Sequence, residues 1–104
     1  MRPAVIGLTK TLSLELGAEG IRVNSILPGI THTQRIDDLM TFRAEKNETS
    51  VEAELQKAAA EIPLGRVGKP EEFANTAVFL CSPAAGFITG VALPVDGGAI
   101  RATM

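Results

Sequence analysis

One segment constrains this chain more than any other: Gly20-Ile21-Arg22-Val23-Asn24-Ser25-Ile26-Leu27-Pro28-Gly29. Upstream of it, Val5, Leu8, Leu12 and Leu16 recur at helical spacing, and Ile6 and Leu14 widen the apolar surface. Ala4 to Glu19 is therefore predicted to be a helix buried on more than one side. Gly17 weakens its last turn, and Gly20 stands where a left-handed cap would end it. Ile21 to Leu27 is rich in β-branched residues and reads as a strand, which Pro28-Gly29 stops. Helix, one-glycine turn, strand and break form the second half of a βαβ crossover. The first half has no room here, because the helix begins almost at Met1. The expectation is that a preceding strand, and more of a sheet, is missing at the N-terminus.

Downstream, Ile36, Leu39, Met40 and Arg43 suggest a short helix that Asn47 to Ser50 break. Thr49 and Glu52 have capping-box spacing ahead of Val51, Leu55 and Ala59, so a second helix follows and ends near Ile62-Pro63. These two carry much of the chain's charge and read as a lid rather than a core. After a loop from Leu64 to Lys69, Pro70 suits the first position of a helix, with Glu71 and Glu72 favourable in its first turn. There Phe73, Ala77 and Leu80 make one apolar row, flanked by Ala74, Val78 and Cys81, and Ser82-Pro83 closes it. A Gly-rich stretch, Gly86 to Gly90, leads to a last strand, Val91 to Val95. Pro94 within it lacks a ladder donor, which predicts an edge position. Two strands alone do not make a stable parallel sheet.

Composition narrows the function classes. The 104 residues carry 10 basic and 12 acidic side chains in mixed order, with four Phe, no Tyr and no Trp. No basic stripe or stacking platform for nucleic acid is present. A single Cys81 excludes an internal disulfide and a cysteine-rich metal site, and no apolar run reaches membrane-spanning length. The expectation is a soluble, cytoplasmic protein that binds neither nucleic acid nor membrane.

A set of short motifs is more specific than any of these. Gly7-Leu8-Thr9-Lys10, Glu15-Leu16, Gly20-Ile21-Arg22-Val23-Asn24, Pro28-Gly29, Ile62-Pro63-Leu64-Gly65-Arg66, Pro70-Glu71-Glu72, Phe79-Leu80, Ile88-Thr89-Gly90 and Val95-Asp96-Gly97-Gly98 follow one another in order. In that order and spacing the chain resembles the C-terminal part of a short-chain dehydrogenase/reductase, from about Ala4 to Gly98. The Pro-Leu-Gly-Arg and Val-Asp-Gly-Gly patterns look most like the 3-oxoacyl-carrier-protein reductase-like branch. The resemblance implies an α/β fold, the C-terminal part of a Rossmann-type doubly wound parallel sheet, with two strands plus flanking helices and incomplete on its own. Residues 1–104 would be one segment of a single NAD(P)-binding domain, with a lid-like helical insertion at about 34–62.

The family's glycine-rich phosphate loop has no counterpart here, since no helix follows Gly97-Gly98. Its catalytic Tyr-x-x-x-Lys would place the lysine on Arg2 and the tyrosine before Met1. Arg2 is read as a frayed terminal residue; a guanidinium fork is a poor substitute for a compact ammonium. No catalytic residue is therefore assigned. The cofactor-contacting candidates are Pro28, Gly29, Ile30, Thr31 and Thr33. The resemblance implies that Thr31 meets the nicotinamide carboxamide through its backbone, and that the Thr33 hydroxyl meets the carboxamide or the pyrophosphate. The residues themselves allow a plainer reading, a Pro-Gly turn followed by a helix cap.

His32 has no sequence-near carboxylate to orient it and reads as a surface loop residue. Cys81 reads as a small core residue, Asp37-Asp38 as a solvated face rather than a metal pair, and Asp96 as the residue that orders the closing turn. Two function hypotheses follow. One is a fragment of an NAD- or NADP-dependent oxidoreductase that interconverts carbonyl and alcohol by hydride transfer on a small-molecule substrate. This chain alone is then expected to be inactive and to hold the cofactor weakly. The other is a non-catalytic interaction module that joins full-length relatives or its own copies as an oligomer. New chemistry is disfavoured, because no nucleophile, base and oxyanion set can be assembled.

Overall fold

The computed structural model describes residues 2–100, and the side chains of Arg2 and Pro3 lie outside what it describes. The expectation placed on the Arg2 side chain therefore falls outside the described residues. Helix α1 (Arg2–Leu16) runs into a 3-10 turn, Gly17–Glu19. Gly20 ends it at φ 77°, donating its N–H to Gly17, as the glycine spacing predicts. Strand β1 (Ser25–Pro28) follows, then α2 (Gln34–Asn47), α3 (Val51–Ala60), α4 (Pro70–Cys81), a 3-10 turn at Pro83–Ala85 and strand β2 (Ala92–Val95). The strands pair in parallel, with Ser25 opposite Ala92 and Pro28 opposite Val95. The expected α/β class is what the structure has.

β1 is shorter than the predicted Ile21–Leu27, and the reason lies in side chains. Over Val23 and Asn24 side chains take over most of the ladder: the Val23 carbonyl accepts from the Gly90 N–H, but Thr89 Oγ1 accepts from the Val23 N–H, Asn24 Oδ1 from the Val91 N–H, and Asn24 Nδ2 donates to the Ile88 carbonyl. Regular pairing begins only where the Ser25 N–H reaches the Val91 carbonyl, 2.9 Å away. At the far end the Gly29 N–H meets the Val95 carbonyl. Alternation between these two bonds turns the Pro94 nitrogen away from β1, so a residue without a donor sits at the outer edge, as predicted.

α1 inverts its expected polarity. Thr9 and Ser13 are the buried positions, 6% exposed each, while Leu8 is 59% and Leu14 77% exposed. The hydroxyls tolerate burial because each bonds back to its own helix, Thr9 to the Val5 carbonyl and Ser13 to that of Lys10. α2 is longer than predicted, because Asn47 continues the helix and Glu48 caps it at φ 55°. The cap of α3 is Ser50, not Thr49: the Ser50 hydroxyl accepts from the Ala53 N–H. Thr49 instead donates to the buried Glu54 carboxylate at 2.7 Å. Asn47 and Lys57 also donate to Glu54, at 3.2 and 3.0 Å, which holds its carboxyl below the usual range and ties α2 to α3. Met40, Ala44 and Ala58 are buried within this helical pair.

Cys81, expected in the core, is exposed, and so are Ala74 and Val78 beside it. Only Leu80 of the predicted α4 rows is fully buried. The apolar pattern of α4 is thus wider than the surface that the described residues give it to cover. The radius of gyration is 16.8 Å, against about 13 Å for a compact chain of this length.

Candidate functional site

Three loops meet at the carboxyl ends of β1 and β2. The first, after Pro28, is set by a close approach: a Cβ on Gly29 would stand 2.6 Å from Asp96 Cβ and 2.7 Å from Asp96 Cα. Only glycine lets the strands end this near each other. The second loop precedes α4 and joins the first by an isolated parallel bridge between Thr31 and Gly68. The His32 N–H donates to the Gly68 carbonyl at 2.8 Å, and the Gly68 N–H to the Ile30 carbonyl at 2.9 Å. In that pattern the N–H and C=O of Thr31 point to the opposite side, and neither bonds another described residue. The third loop follows β2. Asp96 orders it as expected, accepting from the Gly98 N–H at 3.0 Å and the Ile100 N–H at 2.9 Å.

Between these loops and α4 lies a cavity of about 580 Å³. Ile30 and Thr31 line it, with Leu64, Phe73 and Leu93 among its apolar walls and Arg66 and Glu72 at its polar side. Of the other candidates, Pro28 closes β1 and Gly29 abuts Asp96, outside the lining. Thr33 is the N-cap residue of α2, exposed, and its hydroxyl makes no capping bond. The structure therefore brings Ile30 and Thr31 to the cavity and leaves the Thr33 hydroxyl facing solvent nearby in sequence.

His32 does have a carboxylate beside it, which corrects the sequence reading. Its Nε2 lies 2.8 Å from Asp37 Oδ1, and since a carboxylate can only accept, that nitrogen carries the proton. The signal was a five-residue spacing across the start of a helix, easily lost beside the adjacent Asp38. Asp38 takes its own bond from Gln34 Nε2, at 2.9 Å. Among the described residues no group of three or more His, Cys, Asp or Glu could hold a metal ion.

Arg66 and Glu72 form a fork-to-fork pair, with Nη1 and Nη2 at 2.7 and 2.8 Å from the two carboxylate oxygens. Glu72 Oε1 also accepts from the Lys69 N–H at 2.9 Å. The Arg66 bonds, and then this backbone donor, lower the Glu72 carboxyl from 4.5 to about 2. A depressed carboxylate stabilises the fold fully above its unfolded value, and the contribution is lost as pH falls through 4.5 toward 2. Acidification across that window is expected to loosen the loop from Leu64 to Lys69. In Arg66→Ala the Glu72 titration should move back up, and a side-chain carboxyl NMR titration reads it directly. A midpoint unchanged by the substitution would show that Arg66 does not hold the carboxylate in solution.

A parallel pair whose loops gather at the strands' carboxyl ends is the ligand-binding end of a doubly wound α/β sheet. The chain belongs to the short-chain dehydrogenase/reductase family: residues 1–99 match the family described as enoyl-(acyl carrier protein) reductase. It is 47% identical over 96 residues to a 3alpha-hydroxysteroid dehydrogenase of Mediterraneibacter gnavus, covering 92% of this chain and 34% of that protein. To a 3-oxoacyl-[acyl-carrier-protein] reductase of Aquifex aeolicus it is 39% identical over 97 residues, 93% of this chain and 35% of the relative. The L-sorbose reductase of Gluconobacter frateurii, solved with NADPH and L-sorbose, superposes with a TM-score of 0.90 at 36% identity. That superposition covers 97% of this chain and 39% of the reductase. The chain thus spans about a third of the length of these curated relatives, 34% and 35%.

Proposed function

We propose that residues 1–104 are the part of an NAD(P)-dependent oxidoreductase that closes the nicotinamide end of the cofactor site. The complete protein would interconvert a carbonyl and an alcohol on a small molecule by hydride transfer. The observation that carries this is Thr31, whose N–H and C=O leave the Gly68 bridge without partners. An amide ligand needs one donor and one acceptor held at fixed separation, and the two faces of an amide are then distinguished. The Thr31 backbone offers that pair, and the Thr33 hydroxyl, free of a capping bond, supplies a third polar contact. The cofactor, when bound, supplies the hydride chemistry; these residues would orient it. Pro28, Gly29 and Ile30 set the loop's path.

The α2–α3 pair, within residues 34–62, serves as the substrate-side lid in this reading. The substrate is drawn no finer than carbonyl or alcohol, because the relatives' own names span a steroid, an acyl chain and a sugar. A cytoplasmic setting fits the exposed free thiol of Cys81. Among the described residues no helix is long and apolar enough to cross a membrane.

With no tyrosine in the sequence, this chain alone has no counterpart of the family's proton donor. The expected result is no NAD(P)H turnover by the purified chain and cofactor binding only at high concentration. The nucleic acid just upstream of the Met1 codon, read in frame, is expected to encode Tyr-x-x-x-Lys running into α1, preceded by a glycine-rich loop. A stop codon there would favour a second reading, a non-catalytic module that joins full-length relatives or further copies of itself. The exposure of Leu8, Leu14, Val78 and Phe87 supports that reading.

A further inference from the structure

We propose that His32 and Asp37 are positioning residues: their pair is a polar staple that holds the Thr31–Thr33 segment while leaving the Thr33 hydroxyl available to a ligand. The inference rests on the cofactor reading above. With Thr33 as the N-cap of α2, His32 occupies the position before the cap and Asp37 the fourth position of the helix. Those are the two places that an apolar staple normally joins to fix the angle at which a chain enters a helix. Here the link is the 2.8 Å contact between His32 Nε2 and Asp37 Oδ1.

The staple has a chemical consequence. An N-cap threonine ordinarily spends its hydroxyl as acceptor for a first-turn N–H. In this chain it makes no such bond, and only the Thr33 carbonyl serves the turn, accepting from the Ile36 and Asp37 N–H groups at 3.0 Å each. His32 is anchored twice, through its N–H to the Gly68 carbonyl and through its ring to Asp37. The first anchor fixes Thr31 on one side, the second fixes the helix on the other, and Thr33 lies between them. Asp37 is held in turn: its N–H goes to Thr33, and its carbonyl accepts from the Thr41 hydroxyl at 2.9 Å. The pair is half exposed, 50% and 47%, so its effect is one of orientation and moderate in size.

Backbone amide NMR of the whole chain, titrated with NADPH into the millimolar range, tests this. In the native chain the Thr31 and Thr33 amides should move. His32→Ala and Asp37→Ala should each raise the half-saturating NADPH by about three- to fivefold. His32→Gln, which keeps a donor in reach of Asp37, should restore it, with the melting midpoint the same in all variants. Half-saturation unchanged in His32→Ala, or a loss that His32→Gln fails to rescue, overturns the staple and leaves the cofactor reading standing. No movement of either amide in the native chain overturns the cofactor reading and the staple with it.

Discussion

Gly29→Ala is expected to disrupt the junction of the two strands more than any other single-methyl addition at the site. The new Cβ would lie 2.6 Å from Asp96 Cβ and 2.7 Å from Asp96 Cα, and the second of these is backbone. A flexible side chain could swing away; a Cα cannot move without carrying β2 with it. Moving β2 outward would stretch the bond from the Gly29 N–H to the Val95 carbonyl and tilt Asp96 from the Gly98 and Ile100 donors. Overpacking of this kind costs about 2–3 kcal/mol. The readout is native-state hydrogen exchange of the Ser25 and Gly29 amides, expected to quicken about 30- to 150-fold. Gly65→Ala is the comparison, since no atom lies within 4 Å of its added Cβ, although its φ of 76° brings backbone strain. Exchange at Ser25 unchanged by Gly29→Ala would mean that the strands separate without penalty, and the close approach would lose its structural meaning.

The parts of this fold that were legible in the sequence are those decided by one or two local residues. Gly20 can take φ 77° where most residues resist it, so the end of α1 is written in that glycine. Pro70 has no N–H to lose at the first position of α4, and Asp96 can reach only the N–H groups just after it. What was not legible depends on partners remote in sequence. Val23 and Asn24 look like strand, yet the Val23 N–H goes to the Thr89 side chain and the Asn24 side chain to the Ile88 carbonyl, 66 and 64 residues away. The fork between Arg66 and Glu72 crosses a loop and a helix start, and no periodicity links the two.

Burial failed for a related reason. Helical spacing shows that α1 and α4 have apolar faces, but not which faces the rest of the chain covers. Leu8 and Leu14 lie on the apolar surface that the spacing predicts to be buried, yet they are exposed; Thr9 and Ser13 are buried instead, Ser13 against the Gly90 turn. At the candidate site, the place of the loop after β1 was legible because a proline-glycine break after a strand in a crossover unit puts the loop at the strand's carboxyl end, and there Ile30 and Thr31 line the cavity. The roles within it were less so. Sequence gives Thr31 and Thr33 equal standing, whereas geometry separates a residue that lines the cavity from one that caps a helix without using its hydroxyl.

Arg22→Ala is the second large expected effect, and it tests why Arg-Val-Asn and Ile-Thr-Gly occur together in one chain. The Arg22 guanidinium reaches three carbonyls: Leu80 at 2.8 Å, Ile88 at 3.3 Å and Ser82 at 3.4 Å. Leu80 lies in the last turn of α4 and Ser82 caps it, where the dipole favours a cation; the Ser82 carbonyl also accepts from the Ala85 N–H at 3.1 Å. Ile88 belongs to the turn that leads into β2. One side chain from the segment just before β1 therefore ties the last turn of α4 to the entry of β2, and Asn24 shares the same Ile88 acceptor at 3.2 Å. Removing a charged donor from part-buried carbonyls costs about 2–3 kcal/mol. The Gly90 N–H, bonded to the Val23 carbonyl at 2.8 Å, should then exchange about 30- to 150-fold faster, and so should the Val91 N–H. Amides of the α2–α3 pair, fastened separately by Glu54, should keep their rates. Arg22→Lys should recover only part of the loss, because a single ammonium cannot span carbonyls that a planar fork reaches together. Full recovery by lysine would reduce Arg22 to a point charge at a helix end; no change in Gly90 exchange on Arg22→Ala would show that Asn24 and Thr89 hold the turn without it.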